Sequence, residues 1–100
     1  MDELKKAELL QQAWDMHAEI ETAYLANSAI KTKDNHAWLE KQRFLLADMA
    51  IHLLHTALKP GDMELNLLRN NLHAILTISD QFLPKAELKM ATRKIYDREN

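Results

Sequence analysis

Apolar residues recur at helical spacing along most of the chain, and the run from Arg43 to Leu58 is the densest of them. Laid on a helix, Phe44, Ala47, Ile51, Leu54 and Leu58 fall in one row, with Leu46, Ala50, Leu53 and Ala57 in a second row beside it. Two adjacent apolar rows predict a wide face for burial. A third row, Lys41, Asp48, His52, His55 and Lys59, gathers the polar groups into a strip expected to meet water or a partner.

The flanking segments read as helices that cover this one. Leu9, Ala13, Met16, Ile20, Ala23 and Ile30 form a heptad-like seam, with Asn27 on it as a sign of an approaching helix end. Thr32, Asp34 and Asn35 are residues that turn chains and cap helices, with Asn35 or Asp34 expected as N-cap. Lys59-Pro60-Gly61-Asp62 is the sharpest boundary: the proline cannot continue a helical ladder, the glycine permits a tight turn, and Asp62 can cap the next helix. So short a connection makes its two helices antiparallel neighbours. Leu65, Leu68, Leu72, Ile75 and Phe82 make the next seam, opposite a solvated set of Asn66, Asn70, His73, Thr77 and Asp80. Pro84 fits the first position of a final helix with Leu88, Ala91 and Ile95 as its apolar row.

The pattern therefore predicts an all-α antiparallel bundle of four helices over about 3–30, 36–58, 63–81 and 84–97, in a single domain spanning 1–100. Composition reinforces this. Leucine and alanine dominate, valine is absent, and there is a single glycine, a bias toward helix and away from strand. A chain of 100 residues suits one domain.

A net charge of -2 does not favour nucleic-acid binding, which needs a basic surface to displace counterions. Without cysteine there is no disulfide framework and no thiolate metal site. The first ten residues mix charges with apolar groups, unlike a signal peptide, and no apolar run is long enough to span a bilayer, so a cytoplasmic protein is expected.

Candidate chemistry centres on the polar strip. Asp48, His52 and His55 are spaced four and three apart and share one helical face, with ligand types suited to zinc or another first-row metal. One helix cannot complete such a site, and His17 or Glu21 could supply a fourth ligand. His17 and Glu21 are themselves one turn apart, either an acid/base pair or an ordinary helix-surface pair. There is no His-Glu-x-x-His motif, no repeated Glu-x-x-His, no recognisable Ser/His/acid set and no Gly-rich phosphate loop. No cofactor is implied.

Trp14 and Trp38, flanked by polar residues near helix ends, are candidate interface anchors. Lys85, Lys89 and Arg93 form a basic row on the last helix that could meet an acidic partner. The expected function is protein binding, as an adaptor, inhibitor or regulatory subunit and as a candidate homodimer. The alternative is a metal- or small-ligand-binding bundle that uses Asp48, His52 and His55, with or without catalysis.

Overall fold

The computed structural model describes residues 2–27 and 35–96. They form four helices and no strand: α1 (Glu3–Ala26), α2 (Asn35–Leu58), α3 (Leu65–Asp80) and α4 (Leu88–Ile95). Asp2 caps α1, its carboxylate accepting from the Lys5 backbone N–H at 2.7 Å. Asn27 closes the helix with a bond from its N–H to the Tyr24 carbonyl, so α1 ends sooner than the apolar seam suggests. Ile30, Thr32 and Asp34 lie outside the described residues.

Two other boundaries differ from expectation. Asp62 does not cap α3; the helix starts after Glu64, whose carbonyl accepts from Leu68. An ion pair between Lys59 and Glu64 bridges the turn, and Glu64 itself is extended. Pro84 does not begin α4. It is the second residue of a turn closed by the Ala86 N–H on the Leu83 carbonyl, where the fixed φ of proline serves as well as it would at a helix start. Glu87 then takes a left-handed conformation, φ 55°, which no helix can pass through, and α4 comes directly after it.

Gly61 makes the α2–α3 turn at φ +91°. A Cβ there would meet no atom within 4 Å, so the cost of a side chain is conformational alone. Gly61→Ala is expected to lower stability by about 1 kcal/mol, read as a lower urea midpoint at unchanged slope.

Contacts between helices run antiparallel. On α1, Leu10, Trp14 and His17 meet His55, His52 and Asp48 in reverse order; on α3, Asn71 and Gln81 meet Thr56 and Gln42. Among the described residues each helix packs on its chain neighbours and on no other. The result is a layer of 47 × 38 × 15 Å rather than a closed barrel of helices. Its radius of gyration is 15.6 Å, where a compact chain of this length has about 13 Å.

The core is correspondingly thin. Among the described residues, Ala13, Ile51 and Ile78 are the buried apolar ones, Gln42, Asp48 and Thr56 are buried with them, and no large side chain is completely enclosed. Polar contacts stitch α2 to α3: Gln81 donates to Gln42 at 2.9 Å and accepts from the Trp38 indole at 2.8 Å, and Thr56 meets Asn71. Of the expected solvated set on α3, Asn66, Asn70, His73 and Thr77 lie on the side of the helix turned away from α2, and Asn70 and His73 are reached there by the end of α4.

Most informative is the orientation of α2. Its polar strip faces α1, and Trp38, Gln42 and Thr56 face α3. What is left to look outward is apolar beyond the first turns: Ala47, Ala50 and Ala57 carry the outward face with Phe44 at its edge, Leu46, Leu53, Leu54 and Leu58 beside them are only half-buried, and the exposed Arg43–Glu40 ion pair lies at its N-terminal end. Most of the strip expected to meet water is at a helix interface, and of the two rows expected to be covered Ile51 alone is buried.

Candidate functional site

The α1–α2 interface concentrates the chemistry of this chain. Antiparallel packing runs the two helices in reverse order away from the connection between Asn27 and Asn35, and this sets His17 opposite Asp48. Nδ1 of His17 contacts Oδ1 of Asp48, while Nε2 of the same ring lies 3.1 Å from Oε2 of Glu21, one turn further along α1. Oδ2 of Asp48 lies 3.4 Å from Nε2 of His52, one turn along α2. Ligand atoms of His17, Asp48 and His52 all fall within 4.8 Å of one another. Asp48 is buried, both histidines are half-buried, and Glu21 is exposed.

Trp14 flanks the group. Its ring meets His17 and His52 edge-on, with centroids at 5.4 and 6.1 Å, and lies tilted over His55 at 3.9 Å. His17 and His52 stand 5.2 Å apart, also edge to face. The indole thus shields one side of the imidazoles from water, and the other side opens to solvent through His52.

Of the strip read from the sequence, the structure brings Asp48 and His52 together, and adds His17 with Glu21 behind it. His55 lies one turn on, beside Trp14 and Leu10, outside that convergence. The third group of the cluster is therefore a histidine from α1 rather than a second acid.

His55 Nε2 is buried without a hydrogen-bond partner among the described residues. Burial pushes its pKa below the ordinary 6.5; the nearby imidazoles of His52 and His17 act in the same sense, and a hydrogen bond to the Leu10 carbonyl opposes them. The folded protein thus resists protonating His55 while the unfolded chain accepts the proton at its usual pH. Stability contributed by neutral His55 is present above about pH 6.5 and is lost as pH falls below it. Thermal unfolding followed from neutral to mildly acid pH should show a decline in Tm that is shallower in His55→Leu.

An open groove of about 340 Å³ runs beside this cluster between α1, α2 and α3, lined by Leu10, Trp14, His52, His55, Thr56 and Leu67 among others. Trp38, the second aromatic anchor suggested by the sequence, is half-buried and tied to Gln81. Lys85 lies in the turn ahead of α4, and Lys89 and Arg93 lie on that helix, all three at the surface. Asn70 and His73 receive Tyr96 from the end of α4, through a 2.8 Å hydrogen bond and an edge-to-face ring contact.

No helix among the described residues is long and apolar enough to cross a membrane. The chain matches no protein-family model, and no curated protein or solved structure shows significant similarity to it.

Proposed function

We propose that this chain is a protein-association module of the adaptor, inhibitor or regulatory-subunit kind, and that the surface it first engages is a second copy of itself. The observation that carries this reading is the outward apolar face of α2, formed by Ala47, Ala50 and Ala57 with the half-buried leucines beside them and Phe44, 39% exposed, at its edge. A helix that spends its polar strip on an internal contact and leaves alanines exposed and leucines half-buried on its outer side gains stability in water when that face is covered.

Area supports a second copy as the cover. The chain exposes 7384 Å² where a compact monomer of 11.6 kDa exposes about 5,800 Å². The surplus of about 1,500 Å² per chain is what each protomer of an obligate homodimer buries. Because the face belongs to the fold's own missing core, its cover must be present whenever the chain is folded. A second copy is always available at the required stoichiometry, and a net charge of -2 sets little repulsion between copies.

Sedimentation equilibrium of the full chain tests this directly. A dimer that persists through dilution to the micromolar range is the expected result. A monomer at every concentration that unfolds cooperatively and binds no apolar dye would overturn the reading, since the face would then tolerate water.

A further inference from the structure

We propose that the α1–α2 interface also holds a first-row divalent cation of the zinc class, ligated by His17, Asp48 and His52. The site lies between two helices of one chain, away from the outward face of α2, and does not depend on the dimer.

Three observations converge on it. First, the donor set is two imidazoles and a carboxylate, without thiolate, which suits Zn²⁺, Co²⁺, Ni²⁺ or Cu²⁺ better than Ca²⁺ or Mg²⁺. Second, the spacing is close to what such an ion needs. Ligand atoms at about 2.0–2.1 Å from a tetrahedral metal stand roughly 3.4 Å apart, and His52 Nε2 and Asp48 Oδ2 are 3.4 Å apart already. The ligand atoms of all three residues lie within 4.8 Å of one another, and His17 Nδ1, now against Oδ1 of Asp48, has to withdraw from that oxygen and turn toward the ion.

Third, the second ring nitrogen of His17 is held in the way a ligating histidine is usually held. Its Nε2 faces the Glu21 carboxylate at 3.1 Å, and a neutral imidazole that donates there carries a bare lone pair on Nδ1. That lone pair is aimed at a carboxylate oxygen. Two acceptors in contact require a cation between them, either a proton on Nδ1 or a metal ion. Glu21 is thus a positioning residue, fixing the tautomer that binds metal.

The fold adds the remaining requirements. Asp48 and His52 are one turn apart on α2, and His17 comes from α1, so the ion would be chelated across the interface. Trp14 keeps water from one flank, and His52, whose side chain is 34% exposed, leaves an entry path and room for water as a fourth ligand.

The experiment is a titration of the full-length Trp38→Phe chain, in which Trp14 is the sole tryptophan, with Co²⁺ followed by Zn²⁺. Expected are one ion per chain in native mass spectrometry, quenching of Trp14, visible bands of tetrahedral Co²⁺ that Zn²⁺ abolishes, and a rise in Tm with Zn²⁺. His52→Gln and Asp48→Asn should lose all four, Glu21→Gln should bind at least about tenfold more weakly, and His73→Ala should bind as the parent does. If Asp48→Asn fails to fold, the more exposed His52→Gln decides alone, with helical content checked by circular dichroism. No binding by the parent chain overturns the proposal, and so does binding that survives His52→Gln.

Discussion

The double variant Ala50→Glu/Leu54→Glu is expected to sediment as a monomer under conditions where the parent chain is dimeric. Both positions lie on the outward face of α2, Ala50 exposed and Leu54 half-buried, one turn apart. Removing a leucine from an interface costs roughly 1.5–3 kcal/mol, and a carboxylate forced against the same apolar face of the partner costs more. The dimer should weaken by at least about a hundredfold, since each tenfold corresponds to 1.4 kcal/mol. The apolar face is also the fold's missing cover, so the variant should unfold at lower denaturant and bind apolar dyes. Thr77→Glu, an equally drastic change on the side of α3 turned away from α2, should leave the sedimentation of the dimer untouched. A double variant that sediments and unfolds like the parent would place the association surface elsewhere.

Asp48→Ala should be the most destabilising single substitution at the α1–α2 interface, by about 3 kcal/mol. The carboxylate is 13% exposed and answers two imidazoles from two helices; its removal leaves His17 and His52 opposed across 5.2 Å with no acceptor between them. Asp48→Asn should recover part of this, because the amide can pair with His17 Nδ1 in either state, its oxygen accepting from Nδ1–H or its NH2 donating to the bare lone pair. Urea unfolding at equal protein concentration measures both, the concentration being held fixed because the proposed dimer would add to the apparent stability. A loss below about 1 kcal/mol would mean that the contact behaves as an exposed ion pair.

These two results concern opposite sides of the same helix, and they explain what the residue pattern could and could not reveal. Helix existence was legible because it depends on local features: leucine- and alanine-rich spacing, Asp2 ahead of α1, Pro60-Gly61 after α2. Each acts on backbone within a few residues of itself. Boundaries were less legible where one residue type serves two conformations. Pro84 suits a turn and a helix start equally, and only the bond from Ala86 to Leu83 chooses.

The candidate site was half legible. Asp48 and His52 share a face by spacing alone, and His17 with Glu21 is visible as a pair one turn apart. That His17 meets Asp48 comes from the register of two antiparallel helices, which is fixed only once both helix ends and the packing between them are known. His55 fits the same strip by spacing and yet stands apart, because the crossing of α1 over α2 puts Trp14 and Leu10 beside it instead of a ligand.

The amino-acid sequence by itself determined that this chain makes four helices in this order, since helical bonds are satisfied within each segment and need no neighbour. It also determined that α2 carries two apolar rows and one polar strip. Only the tertiary structure decided which of those faces looks inward. Periodicity measures how wide an apolar face is, whereas its direction depends on what the neighbours offer, and α1 offers His17, Glu21 and Trp14 to a strip of Asp48, His52 and His55. Charged and imidazole groups that bond across the interface hold that orientation, and much of the apolar rows, Phe44 and the alanines above all, is left exposed.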